Sequence, residues 1–150
     1  MLLNIILGIL IPWILCILLI QRAPIVVFVM FPIGISIAFL ANDWGFDLFW
    51  LVSPTLTNPS LSALPYNVGY FPFLASLFAY FKVKQGRNST LLVTIFSIIT
   101  TSIEGCALII GKVHYLNGWN ILYTFLVYVT GFTIASLYLH LLTNYKILPK

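Results

Sequence analysis

Glu104 is one of only three acidic residues in the 150-residue chain, and it stands inside an apolar run, seven residues before that run ends at Gly111. Thr90, Thr94, Ser97, Thr101, Glu104, Leu108 and Gly111 recur at steps of four and three. Such steps place them along one stripe of a helix. Leu92, Ile95, Ile99, Ile103 and Ile110 fall on the opposite side and are aliphatic. An acidic side chain at the centre of a membrane helix costs about 2.5–3.5 kcal/mol on the insertion scale. Glu104 should therefore face the interior of a helix bundle, where it is paired, hydrated or protonated. At 1.5 Å per residue it lies about 10 Å below the end of its run. Tyr66 and Asn67 open the preceding run and Asn120 opens the following one, so all three reach a similar depth, and Thr101 shares the Glu104 stripe. Tyr115, Trp119, Tyr123 and Thr124 add further polar atoms near that level. Two roles suit this set: a titrating carboxyl in a polar cavity, or a polar anchor that holds helices together.

A second set lies between the runs. Asp43, Asp47 and Trp50 follow i, i+4, i+7 and would share one face of a short helix near 43–52. His114 lies in another loop on the same side. Two carboxylates and an imidazole suggest a cation site or an acid–base pair, but calcium needs more oxygen ligands than this loop carries. The expected reading is an interfacial helix with a solvated acidic face and tryptophans at headgroup depth.

These residues need helices to position them. The chain is 61% hydrophobic and only 7% charged, against roughly 25% charged in a soluble domain. That excludes a soluble enzyme, a disordered chain and a nucleic-acid binder. Five runs are long enough to cross a bilayer core, which takes about 20 apolar residues: 2–20, 25–41, 62–81, 89–111 and 119–143. The expected fold is all-α, a polytopic helix bundle in a single domain. Runs such as 14–20 and 26–31 are apolar all round, which a barrel strand is not. The first run has no positive n-region and no small-residue cleavage site, so it is expected to remain as a span.

Basic residues set the orientation. With five spans, Arg22, Lys82, Lys84, Arg87, Lys146 and Lys150 fall on one side and Lys112 alone on the other. The N-terminus is expected outside and the C-terminus in the cytoplasm. The formal charge of +4 then needs no nucleic acid and touches, at most, anionic lipid.

Complete catalytic or cofactor motifs are missing from the sequence. Gly105 to Lys112 has five residues between its glycines, so it is not a phosphate-binding loop. There is no zinc spacing, no Gly-x-Ser-x-Gly and no His-Glu-x-x-His. Cys16 and Cys106 sit in separate apolar runs and read as small hydrophobes. Asn88-Ser89-Thr90 matches a glycosylation sequon on the cytoplasmic side, where it stays unmodified. No metal, cofactor or catalytic residue is expected.

Leu64-Pro65-Tyr66-Asn67 opening one run, Glu104 late in the next, then Tyr115 and Trp119-Asn120 entering the last, form an ordered pattern over residues 62–140. The pattern resembles a family of small multipass membrane proteins of endospore-forming Firmicutes that has no assigned activity. The resemblance implies a five-helix inner-membrane protein of bacterial source and transfers no functional residue.

Three functions compete. The expected one is non-enzymatic: packing with a second copy or a membrane-protein partner through small-residue seams, such as Gly34/Ala38, Ala75/Ala79 and Gly131/Ala135. The alternative is a transport or proton-coupled protein in which Glu104 titrates in an outer-facing cavity. The third is an enzyme acting on a lipid or envelope precursor, with Glu104, Asp43, Asp47 or His114 as acid and base.

Overall fold

The computed structural model describes residues 1–46 and 48–148. The chain is all-α apart from one short hairpin-like sheet. Helix α1 is Leu2–Arg22 and α2 is Pro24–Gly45. Strand β1 (Trp50–Val52) follows, then a continuous helix α3 over 59–84. Helix α4 is Ser89–Ile109, β2 is Val113–Tyr115 and α5 is Ile121–Asn144. Four of these helices, α1, α2, α4 and α5, are long and apolar enough to cross a membrane. The helices alternate in direction, so Arg22, Lys82, Lys84, Arg87 and Lys146 collect at one end. The sheet and Lys112 lie at the other, here called the hairpin end. The surface between the ends is apolar: Ile109 is 86% exposed and Phe28 67%.

Helix α3 is the hub. It packs against all four other helices and buries Ser62, Ala63, Pro65, Asn67, Gly69, Pro72 and Ser76 among them. Its prolines, amide and hydroxyls lower its hydropathy, which is why it stands apart from the four strongly apolar helices. They are also the residues turned toward its neighbours.

Two prolines explain how α1 and α3 meet. A proline inside a helix donates no hydrogen bond and crowds the carbonyl four residues back. A π-helical turn over Ile6–Leu10 precedes Pro12, and another over Tyr66–Tyr70 precedes Pro72. Widened turns of this kind absorb such crowding. The Val68 carbonyl, four residues before Pro72, instead accepts the Trp13 indole N–H at 3.1 Å. The two widened turns face each other across Gly8 and Gly69, where a Cβ on Gly69 would lie 2.0 Å from the Gly8 carbonyl oxygen. Gly34 does the same for α2, since its Cβ would fall 2.5 Å from the Pro72 Cα.

The opposite half of the bundle closes on rings. Phe78 (α3), Phe96 (α4) and Phe132 (α5) form a triangle with centroids 5.4–5.6 Å apart, within the range of favourable aromatic contact. Asn88 and Asn120 cap α4 and α5 with their side chains.

The interfacial helix expected near 43–52 is not formed. Helix α2 instead runs on to Gly45, and Trp50, Leu51 and Val52 pair antiparallel with Tyr115, His114 and Val113. The reason is aromatic packing: Trp50 folds back over Gly45, its indole N–H donates to Asn42 Oδ1 at 3.1 Å, and Phe49, Trp50 and Trp119 stack within 4.3–6.1 Å. An isolated two-turn helix would offer these rings no partner.

The glycine contacts give a direct test. Gly69→Ala should destabilise the protein by about 1–3 kcal/mol, the usual cost of overpacking, because the obstructing atoms are backbone. Gly105→Ala, where a Cβ meets nothing within 4 Å, should be neutral or slightly stabilising. Unfolding in detergent, followed by circular dichroism, distinguishes the two.

Candidate functional site

Glu104 faces inward from α4 and is held from three directions. The Tyr115 hydroxyl of β2 donates to Oε1 at 2.7 Å. The Thr124 hydroxyl of α5 lies 3.3 Å from the same oxygen. The Tyr128 hydroxyl, one turn further along α5, donates to Oε2. Thr124 Oγ1 is also 2.7 Å from the Tyr115 hydroxyl and receives the Trp119 indole N–H at 2.9 Å. Proton counting gives one consistent chain: Trp119 to Thr124, Thr124 to Tyr115, Tyr115 to Glu104, with Tyr128 on the other carboxyl oxygen. Such networks strengthen one another when every member is satisfied. In the hairpin, burial raises the Tyr115 hydroxyl above the ordinary phenol range; the Thr124 hydrogen bond opposes this and the neighbouring Glu104 adds to it. Tyr115 is therefore a neutral donor at physiological pH.

The carboxyl lies in the wall of a cavity of about 750 Å³ between α2, α3, α4 and α5, closed above by the sheet. Its walls are mainly apolar, with Ala38, Leu74, Val127 and Ala135 among them. Leu40 and Trp44 of α2, and Leu126 and Ile134 of α5, also line it. These four are 74%, 61%, 53% and 47% exposed. The cavity therefore opens sideways, between α2 and α5, onto the apolar surface of the bundle. The two helices come near one another at Ile37 and Gly131, where a Cβ on Gly131 would sit 3.5 Å from Ile37 Cγ2.

Of the polar residues expected near Glu104, Tyr115 and Thr124 reach its carboxyl, and Tyr66, Trp119, Tyr123 and Thr124 line the same cavity. Asn67 is buried and accepts from the Asn42 amide at 2.5 Å. Asn120 is spent capping α5. Thr101 is not in the cavity wall, and its buried hydroxyl has no partner among the described residues. The outer-loop set does not assemble: Asp43 accepts from Ser60, and His114 Nε2 lies 2.9 Å from the Ser53 hydroxyl. Asp47 lies outside the described residues. Among the described residues no group of three His, Cys, Asp or Glu side chains is placed to hold a metal.

Sequence reasoning places Trp119 near Glu104 but misses Tyr128 as a member of the network. The signal was present, since Tyr128 follows Thr124 by four residues and so shares its face. Lys112, read only as an orientation signal, also stands in the cavity wall.

Comparison with protein-family models, curated proteins and solved structures returned no match.

The network predicts an order of effects. Glu104→Leu leaves the Tyr115 and Tyr128 hydroxyls without their acceptor and should cost about 2 kcal/mol or more, at about 1–3 kcal/mol for each unmet buried group. Tyr128→Phe removes one donor and should cost about 1 kcal/mol. Glu104→Gln, which keeps a carbonyl acceptor, should fall between them. Thermal unfolding of the purified variants measures the order.

Proposed function

We propose that this is a non-catalytic integral membrane protein that holds one lipid-like amphiphile in its lateral cavity. The observation that carries the reading is the sideways opening between α2 and α5. A pocket for a water-soluble ligand opens to water. This one opens where Leu40, Trp44, Leu126 and Ile134 are exposed on the apolar surface. Its volume falls within the roughly 300–1,000 Å³ of ligand pockets.

Five spans belong to the same proposal. Helix α3, over 59–84, is about 39 Å long at 1.5 Å per residue, against a hydrocarbon core of about 30 Å. Its polar side chains are spent inside the bundle, which supports a crossing. With five spans, the basic end is cytoplasmic and the hairpin end is outside. The N-terminus is then outside, and the protein lies in the cell membrane of a bacterium, in keeping with the resemblance noted above.

The small-residue seams support a ligand role over partner docking. Gly34 is consumed against Pro72 and Ala75, and Gly8 and Gly69 against each other. Ala75 and Ala79 are buried in the core. These contacts serve the chain's own packing, and Gly131 and Ala135 border the cavity. One observation favours proton-coupled transport as a second reading, namely that Glu104 borders the same cavity. Against it, both carboxyl oxygens are already engaged by hydroxyl donors.

Native mass spectrometry of the full chain, extracted with its lipids and stripped of detergent, should show about one retained phospholipid, as one cavity of this size implies. Gly131→Leu fills the gap beside Ile37 and should abolish retention with helix content unchanged. Absence of retained lipid in the wild type, or full retention in Gly131→Leu, contradicts the reading.

A further inference from the structure

We propose that the amphiphile is an anionic glycerophospholipid of the leaflet at the hairpin end, with its phosphate on Lys112 and an acyl chain between α2 and α5. The proposal rests on the lipid-binding reading above and assigns its headgroup.

Lys112 stands where a headgroup must be. Helix α4 stops at Ile109, Gly111 turns the chain with φ +69°, and the Lys112 N–H returns to the Ala107 carbonyl at 2.8 Å. The lysine therefore follows directly on the end of the helix, and it is half-buried in the cavity wall. It makes no ion pair among the described residues. The described acids are occupied elsewhere, Asp43 by Ser60 and Glu104 by the Tyr115 and Tyr128 hydroxyls. An ammonium at the rim of an apolar cavity favours an anionic group, and charge-assisted contacts to phosphate are roughly twice as strong as neutral ones. A zwitterionic headgroup would bring a second cation toward Lys112, so a net anionic lipid is preferred.

The dimensions agree. Tyr123 and Ala135 both line the cavity, and they lie about 18 Å apart along α5 at 1.5 Å per residue. Half of a hydrocarbon core of about 30 Å is about 15 Å. The cavity therefore spans one leaflet. Glu104, deeper in the wall, has both carboxyl oxygens engaged by hydroxyl donors, which leaves Lys112 as the group for a phosphate.

The test is competitive retention. The full chain is equilibrated in detergent with equal amounts of phosphatidylglycerol and phosphatidylcholine, and bound lipid is counted by native mass spectrometry. The wild type should prefer phosphatidylglycerol by about tenfold, as expected for one hydrogen bond to a charged group. Lys112→Gln should bring the ratio close to one while lipid is still retained, and Lys112→Arg should restore the preference. An equal ratio in the wild type, or a preference that survives Lys112→Gln, overturns the headgroup assignment and leaves the cavity reading standing. Retention of neither lipid by the wild type overturns both.

Discussion

A carboxyl group inside an apolar bundle must be satisfied by its own surroundings. For Glu104 the donors are hydroxyls, Tyr115 from β2 on one oxygen and Tyr128 from α5 on the other, with Thr124 backing Tyr115. This requirement fixes more than one side chain. It ties α4 to α5 along their hairpin halves, and it draws β2 down over the space between them. Trp119 and Thr124 extend the chain to the root of α5.

The other half of the design is close approach. Pro12 and Pro72 each come after a widened turn, and the two turns meet through Gly8 and Gly69. Helix α3 is thereby pressed against α1 and α2, while the Phe78, Phe96 and Phe132 rings lock it to α4 and α5. Tight contact is concentrated on the α1, α2 and α3 side and at the half of the bundle toward the basic end. What remains open is the region between α2 and α5 near the hairpin, and that is where the cavity lies.

Much of this was legible in the residues. Apolar runs marked the helices, and the three-and-four stripe turned Glu104 and Ser97 inward, but it is rotated from the buried face: Thr94 is exposed, while Leu92, expected on the opposite side, is buried with Phe96 and Thr100. The rest depended on information that spacing does not carry. Residues 43–52 read as an amphipathic helix because period alone cannot register Trp50 folding back on Gly45 or Val52 pairing with Val113. The partners of Glu104 were sought by depth, which nominated Asn67 and Asn120, whereas one became the mate of Asn42 and the other a helix cap. Depth is one coordinate of three; rotation about each helix axis decided that Tyr128 and not Asn120 faces the carboxyl. Lys112 looked like a topological charge, and only the three-dimensional wall reveals that it borders the cavity.

The coupling between Glu104 and Tyr128 tests most directly whether one satisfied carboxyl organises the bundle. A double-mutant cycle of Glu104→Leu and Tyr128→Phe, read from unfolding free energies in one detergent, isolates the pairwise term. The account predicts that the Tyr128 substitution, costly in the wild type, becomes nearly neutral once Glu104 is gone, with a coupling of about 1 kcal/mol. Additive effects of the two substitutions would mean that the carboxyl and the phenol do not act on each other, and the proposed organising role of Glu104 would be wrong.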